Sequence, residues 1–163
     1  LGPIKTITKS LEKVQTDFQE IIVTGTNKKL YKSLKRKIRK YKKKILVFGY
    51  VDNINELMSI SNIIITKPGG VTTSEALAKS IPLIIVKPIP GQEQNNTAYL
   101  TKEGAAVKVD MPKDINFIIE DLLADRQKLK HLRECAGRIG KPNASIDIAR
   151  FLLNLSIVHS LNV

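Results

Sequence analysis

The chain has 163 residues, enough for one domain with a hydrophobic core, and its 42% hydrophobic content excludes a disordered polypeptide. The single cysteine, Cys135, excludes an internal disulfide, and no apolar run approaches the roughly 20 residues that span a bilayer. The formal net charge of +12 indicates an anionic partner, which is nucleic acid, an anionic membrane or a phosphorylated ligand.

Helical and extended patterns alternate over the first two thirds of the chain. Apolar residues at helical spacing predict a helix over residues 4–18, and a short β-branched run predicts a buried strand over 20–24. A basic helix is predicted over 27–40 and a strand over 45–48. The alternation continues with helices predicted over 53–60, 72–79 and 92–103, and with strands over 63–66, 83–86 and 105–108.

Strands that are apolar on both faces and alternate with helices are typical of a parallel sheet covered by helices on both sides. The strand signals stop after residue 110, and helices are predicted over 113–123, 125–137 and 144–158. The chain is therefore predicted to be one α/β domain, with a parallel sheet, helices on both faces and a helical C-terminal tail.

Every unusual loop of the sequence follows a predicted strand. These loops are 24–27, 49–53, 67–72 and 87–93. Ligands of open parallel sheets bind beyond the carboxyl ends of the strands, so the four loops are expected at one edge of the sheet and around one site.

The pair Gly69-Gly70 allows the backbone to come close to a ligand or to adopt positive φ. A helix begins immediately after this pair, so free N–H groups and the positive end of the helix dipole suit a phosphate group. A tight strand-to-helix turn with no ligand is the alternative. Lys67 and Lys87 either add positive charge near such a phosphate or are simply solvated.

The polar residues on the next two helices have two interpretations each. The segment Thr72-Thr73-Ser74-Glu75 fits a capping box with Thr72 as the cap, or the Glu75 carboxylate accepts two hydrogen bonds from ribose hydroxyls. The polar side chains at the start of the following helix either hydrogen-bond a sugar or cap and solvate the helix end. They are Gln92, Glu93 and Asn96.

Residues 28–44 carry a dense run of basic side chains. Such a run is either a solvated helix face or a surface that attracts an anionic membrane or nucleic acid. Only 5% of the residues are aromatic, Trp is absent and no nucleic-acid recognition motif is apparent, which disfavours a nucleic-acid-binding domain.

Taken together, the strand-exit loops resemble the C-terminal domain of two-domain (GT-B) glycosyltransferases. The likeness is to the processive diacylglycerol glucosyltransferases and the monogalactosyldiacylglycerol synthases, and it implies a Rossmann-like fold. It runs in order over residues 20–110, through 49–53, 65–76, 87–93, Asn96 and 103–106. A weaker likeness is to the peptidoglycan N-acetylglucosaminyltransferase, which typically has Arg-Ser-Gly-Ala where this chain has Lys67-Pro68-Gly69-Gly70.

The resemblance implies a binding site for a UDP-sugar. The residues expected near the uracil are Gly25, Asn27, Gly49, Tyr50 and Val51. Those expected at the diphosphate are Gly2, Gly69, Gly70, Val71 and Thr72. Glu75 is expected to bind the ribose hydroxyls, and the residues expected at the donor hexose are Gln92, Glu93 and Asn96.

The implied reaction transfers glucose or galactose from a UDP-sugar to diacylglycerol or a glycolipid; in the peptidoglycan-type alternative, N-acetylglucosamine goes to a lipid-linked acceptor. Residues 1–163 are then a single donor-binding domain that lacks its first strand and an N-terminal acceptor domain. The resemblance places the catalytic base in that N-terminal domain, so no residue here is expected to be catalytic. No cofactor or metal is expected, because no Asp-x-Asp pair occurs in the chain.

A lipid acceptor implies contact with an anionic membrane surface, so the protein is expected to be cytoplasmic and peripheral at the inner face of the membrane. The start of the chain has no signal-peptide pattern, which agrees with this location. No nucleic-acid partner is expected under this interpretation. A UDP-sugar epimerase is a further alternative, but it requires a histidine in the cleft, and His131 and His159 lie in the predicted helical tail.

The last predicted helix carries an apolar surface wider than one sheet contact needs. Its apolar residues are Ile146, Ile148, Phe151, Leu152, Leu153, Leu155, Ile157 and Val158. This surface either packs against the N-terminal domain or is buried in the core of the present one.

Overall fold

The computed structural model describes the backbone of residues 3–160 and the side chains of residues 3–154. The strands are β1 (Gln19–Val23), β2 (Lys44–Phe48), β3 (Ile64–Thr66), β4 (Leu83–Val86) and β5 (Ala106–Val109). The helices are α1 (Ile4–Leu11), α2 (Lys28–Lys37), α3 (Ile54–Ser59), α4 (Gly70–Ala78), α5 (Gln92–Lys102), α6 (Ile115–Ala124), α7 (Arg126–Ile139) and α8 (Ala144–Ser160). Short 3₁₀ turns lie at Ile38–Lys40 and Pro112–Asp114.

The strand pairs are parallel, which confirms the predicted α/β fold. Strand β1 pairs with β2, with Ile22 opposite Val47. Strands β3, β4 and β5 pair in that order, with Ile65 opposite Ile84 and Ile84 opposite Val107. The described residues therefore form two parallel sheets, of two and three strands, rather than one continuous ladder.

Strand β4 is buried on both faces, which is why its sequence shows no polar alternation. Leu83 and Ile85 pack on one side in a cluster that includes Leu100 of α5. Ile84 and Val86 pack on the other side, against residues of α1 and α6. Each of these four strand residues is at most 3% exposed, and full burial of such a side chain contributes about 1.5–3 kcal/mol. The core therefore lies on both sides of the three-stranded sheet.

Helix α1 contacts both sheets. Ile4 packs against the cluster formed by residues of β1, β2 and α2. Ile7 and Leu11 pack in the cluster that contains Ile84 and Val86 of β4. A single helix thus bridges the two sheets on one side of the domain.

The helix predicted over residues 4–18 is wrong beyond Leu11, where α1 ends. The chain then turns, and the N–H groups of Gln15 and Thr16 donate hydrogen bonds to the carboxylate of Glu120 on α6, at 2.7 and 3.2 Å. The Thr16 hydroxyl adds a third bond at 2.7 Å, and together these bonds lower the pKa of Glu120. Val14 continues the helical spacing of apolar residues only because it is buried in the same cluster as Ile7 and Leu11 of α1.

Helix α8 forms as predicted, but its described apolar side chains are exposed. Ile146, Ile148 and Phe151 are 51%, 60% and 62% exposed. Of the two alternatives for this surface, burial in the core of the present domain is therefore wrong for the described side chains. Leu155, Ile157 and Val158 lie outside them. Between residues 3 and 160, no helix is both long enough and apolar enough to cross a membrane.

Candidate functional site

The loops that follow β1 and β2 lie side by side at the carboxyl ends of these strands. The N–H and the hydroxyl of Thr24 both donate to the Phe48 carbonyl, each at 3.0 Å. Gly25 has a φ of +56°, a left-handed conformation that glycine adopts without strain. A Cβ atom added to Gly49 would lie 3.8 Å from the Gly25 carbonyl oxygen. The structure therefore brings together two glycines predicted to lie near the uracil.

The other residues expected at the uracil differ in what else they do. The Asn27 side-chain oxygen accepts a hydrogen bond from the Leu30 N–H at 2.9 Å and caps α2. Tyr50 is 75% exposed and Val51 is partly exposed. Asn27 therefore has a structural role, whereas the Tyr50 ring is open to a ligand.

The start of α4 presents unused backbone donors. Gly69 is the N-cap, and the Thr73 N–H donates to its carbonyl at 3.0 Å. Within residues 3–154, no group accepts a hydrogen bond from the N–H of Gly70, Val71 or Thr72. These three donors and the positive end of the helix dipole form the kind of site that binds a phosphate.

Of the two interpretations of the segment 72–75, the capping box is wrong. Because α4 already begins at Gly70, Thr72 is the third residue of the helix and does not cap it. Glu75 lies on the second turn with an exposed side chain, and its carboxylate has no hydrogen bond or ion pair to another described residue. The carboxylate is therefore available to a ligand.

Neither glycine of the Gly69-Gly70 pair is required by the fold. The φ of Gly69 is −69° and Gly70 is helical, so the predicted alternative of positive φ is wrong. A Cβ atom added at either position would meet no atom within 4 Å outside its immediate neighbours. The backbone of this loop faces open space, which a closely bound phosphate needs.

Two side chains of α5 stabilise the loops next to it. The Glu93 carboxylate accepts a hydrogen bond from the Ile89 N–H at 2.7 Å. The Asn96 side-chain amide donates to the Pro68 carbonyl at 2.8 Å and so ties α5 to the loop before α4. Glu93 and Asn96 each keep one side-chain oxygen for a ligand, and Gln92 is exposed at the first position of α5.

Lys87, directly after β4, has a strained backbone with a φ of +44°. Such a conformation costs about 1–3 kcal/mol for a residue other than glycine and is concentrated at ligand sites. The sequence identified Lys87 as a possible source of charge but not this conformation. The sequence carries no signal for it, because a proline favours extended backbone with negative φ at the residue before it.

The candidate residues thus form two groups. One group lies on the loops after β1 and β2, and the other on the loops after β3 and β4. In the described part of the chain, no hydrogen bond or ion pair joins one group to the other. Gly2, which was expected at the diphosphate, lies outside the described residues.

Comparison with known proteins identifies relatives. A family model described as the glycosyltransferase family 28 C-terminal domain matches residues 4–146. A processive diacylglycerol beta-glucosyltransferase of Bacillus cereus is 38% identical over 153 residues, and that of Bacillus mycoides is 37% identical. Each alignment covers 94% of this chain and 39% of the relative, so the chain spans about two fifths of the length of these curated relatives.

Solved structures with low sequence identity share the fold. MurG from Acinetobacter baumannii aligns with a TM-score of 0.77 at 18% identity, over 94% of this chain and 47% of that one. HepE from Anabaena, solved in complex with UDP-glucose, aligns with a TM-score of 0.67 at 18% identity, over 99% of this chain and 46% of that one. These similarities confirm the Rossmann-like architecture.

Proposed function

The chain belongs to the family of glycosyltransferase family 28 C-terminal domains, and from this premise we propose that it is the donor-binding domain of a UDP-sugar-dependent hexosyltransferase. The proposed reaction transfers glucose or galactose to diacylglycerol or a glycolipid. Two findings support this proposal: the curated relatives are named diacylglycerol glucosyltransferases, and a structural neighbour was solved with UDP-glucose.

The open space in front of Gly69 and Gly70 is the observation that carries the proposal. In the proposed complex, the donor diphosphate lies there and accepts hydrogen bonds from the N–H groups of Gly70, Val71 and Thr72. Negative charge grows on this diphosphate as the bond to the hexose breaks. Fixed N–H donors and a helix dipole stabilise such charge without reorganising, so we propose that they do the work that a metal ion does elsewhere.

The remaining contacts follow from the same placement of the donor. The Glu75 carboxylate accepts two hydrogen bonds from the ribose hydroxyls. The uracil lies against the loops that contain Gly25, Asn27 and residues 49–51. The hexose contacts Gln92 and the unused side-chain oxygens of Glu93 and Asn96.

The acceptor site and the catalytic base are proposed to belong to a separate N-terminal domain. Within the described residues, β1 pairs only with β2 and β3 pairs only with β4, while α1 packs against both sheets. This arrangement is the one expected if a further parallel strand lay between β1 and β3. The exposed apolar surface of α8 is proposed to pack against the N-terminal domain.

The lipid acceptor requires contact with a bilayer, so we propose that the protein works as a peripheral protein on the cytoplasmic membrane surface. The basic side chains of α2 support this proposal, because residues such as Lys28, Lys32 and Arg36 are exposed. Basic residues near an anionic surface each contribute about 1 kcal/mol of attraction. No nucleic-acid partner is proposed.

Thermal unfolding of the intact protein with nucleotides tests the donor site. UDP, UDP-glucose, UDP-galactose and UDP-N-acetylglucosamine are compared with ADP. A ligand at about 100 times its Kd adds about 2.7 kcal/mol of stability, so binding is readily seen. Glu75→Gln should reduce the shift by UDP compounds, whereas Glu134→Gln on α7 should leave it unchanged.

The sugar dependence separates the alternatives. A larger shift with UDP-glucose or UDP-galactose supports the proposed donor, and a larger shift with UDP-N-acetylglucosamine favours the peptidoglycan-type reaction. If UDP compounds shift the wild type no more than ADP does, the donor-site proposal is wrong.

A further inference from the structure

A basic cleft lies on the side of the domain where α1 is exposed, outside the strand-exit loops. It has a volume of about 340 Å³, and the basic residues that line it are Lys5, Lys9, Lys13, Lys37 and Lys113. They come from α1 and the turn after it, the end of α2 and the 3₁₀ turn at Pro112–Asp114, so segments far apart in the sequence supply the same charge. Among the residues that the structure describes, no acidic side chain lines this cleft.

The five ammonium groups form no ion pair with another described residue. In the described part of the chain, no carboxylate lies within 4.0 Å of any of them, whereas Lys43, Lys108, Lys128 and Lys130 are all paired. Lys5 and Lys9 also lie four residues apart on α1, where like charges destabilise a helix, and Lys13 follows in the turn after α1. The cleft thus concentrates positive charge, part of it at the expense of the stability of α1, and a bound anion would relieve the repulsion between the lysines.

The walls of the cleft are held by buried contacts. The Ser10 hydroxyl lies 2.5 Å from the Lys113 carbonyl oxygen and 2.7 Å from the Asn116 side-chain oxygen, which fixes the 3₁₀ turn against α1. On the other side, Ile4 of α1 packs in the cluster that contains Leu34 of α2, near the end that carries Lys37. These contacts fix the backbone positions of the lysines, so the cleft forms without a bound ligand.

We propose that this cleft binds the phosphate-bearing headgroup of an anionic phospholipid at a membrane surface. The inference rests on the proposed function in one respect, namely that a lipid acceptor brings the domain to a bilayer. The cleft is continuous with the exposed basic side chains of α2 through Lys37. Nucleic acid fits less well, because single-stranded nucleic acids are bound with aromatic side chains and no aromatic residue lines the cleft.

The test measures partitioning of the intact protein onto vesicles by co-sedimentation. Vesicles of phosphatidylcholine alone are compared with vesicles that also contain phosphatidylglycerol. The triple variant Lys5→Gln, Lys9→Gln, Lys13→Gln is compared with Lys102→Gln, Arg133→Gln, Lys141→Gln, which removes the same charge from exposed positions on α5, on α7 and beyond α7. The cleft variant should lose about a hundredfold in its partition coefficient on the anionic vesicles, or about 3 kcal/mol at about 1.4 kcal/mol per tenfold change. The control variant should lose much less.

Equal losses in the two variants would mean that net charge alone drives binding and would overturn the proposal. The proposal would also be overturned by a cleft variant that binds anionic vesicles as well as the wild type does. A cleft variant that loses affinity only for single-stranded DNA would overturn it too. Thermal stabilisation by UDP is measured on both variants, and an unchanged shift shows that the donor site is intact, so failure of the two proposals can be told apart.

Hydrogen exchange on the wild type gives a second, mutation-free readout. Anionic vesicles should slow amide exchange in α1 and in the turn that carries Lys113. Soluble glycerol phosphate at the same headgroup concentration should protect these amides far less, since it lacks the multivalent surface. No protection of α1 by anionic vesicles, or equal protection by the soluble phosphate, would overturn the membrane assignment.

Discussion

The side-chain amide of Asn96 donates a hydrogen bond to the carbonyl of Pro68, which is fully buried, and so connects the helix after β4 to the loop after β3, where we propose that the phosphate binds. Loss of this bond leaves a buried carbonyl unpaired and frees the loop that precedes Gly69. Asn96 is also a proposed contact of the donor hexose, so its two roles are linked through one side chain.

Replacing Asn96 by Ala should therefore lower both stability and donor affinity. We expect the free energy of unfolding to fall by about 1–3 kcal/mol, the cost of an unsatisfied buried polar group. Urea unfolding and UDP-glucose titration measure the two effects. Asn95→Ala, at the exposed neighbouring position, should change neither. An Asn96→Ala protein with wild-type stability would show that the bond to Pro68 contributes nothing.

Replacing Gly70 by Ala should separate folding from binding. The added methyl group meets no atom within 4 Å and glycine disfavours helices, so the variant should be as stable as the wild type or up to about 1 kcal/mol more stable. The same methyl group should weaken UDP binding about tenfold or more, because it occupies the space proposed for the diphosphate. Thermal unfolding with and without UDP measures both effects.

Gly104→Ala is a control that should lower stability without changing UDP binding. Gly104 has a φ of +72°, and an added Cβ would lie 3.1 Å from the Cys135 sulfur. This variant should be less stable than the wild type while its intrinsic UDP affinity is retained. A Gly70→Ala protein that binds UDP normally would contradict the placement of the diphosphate.

The strands could be predicted from the sequence because their signals are local. The prediction of 83–86 is confirmed to the residue, since four apolar residues lie between Pro82 and Lys87-Pro88 and need both faces buried. The strand-exit loops were found for the same reason, because a parallel sheet places them at one edge.

The errors in the predicted helix boundaries arise mainly from contacts between distant parts of the chain. The end of α1 depends on Glu120, more than a hundred residues away, and the bond from Asn96 to Pro68 spans 28 residues. The spacing of apolar residues reports burial rather than helix, and so Val14 extended the predicted helix too far. The start of α4 was predicted too late because Thr72 matched a capping box, although a helix capped by glycine needs no such residue.

Removal of divalent metal ions should leave donor binding and transfer unchanged. In the proposed site the diphosphate is stabilised by N–H groups and the dipole of α4, neither of which a chelator removes. We expect the same UDP-glucose affinity and turnover in excess EDTA as with added Mg²⁺. A loss of UDP binding in EDTA that Mg²⁺ restores would contradict the metal-free proposal.

Glu20, at the start of β1, couples stability to pH. Its side chain is mostly buried: Oε1 accepts a hydrogen bond from the Thr8 hydroxyl at 3.1 Å, while Oε2 has no partner among the described residues. The pKa of Glu20 is raised from 4.5 to about 7, mainly because burial disfavours the charged carboxylate; the Thr8 hydrogen bond partly opposes this shift, and the charge of Glu12 adds a smaller increase. The folded protein therefore binds this proton more tightly than the unfolded chain does.

The contribution of Glu20 to stability should accordingly be greatest below pH 4.5, where the carboxyl is protonated in both states, and should be lost as the pH rises through about 7. Compared with Glu20→Gln, the wild type should lose about 3 kcal/mol of unfolding free energy between about pH 4.5 and pH 8, at about 1.4 kcal/mol per unit of pKa shift. Urea unfolding across this pH range measures the difference. Glu134→Gln, an exposed carboxylate, should run parallel to the wild type, because the raised pKa of Glu20 is retained there. If Glu20→Gln also runs parallel to the wild type, the Glu20 carboxyl titrates alike in the folded and unfolded states, and its burial does not set the pH dependence of stability.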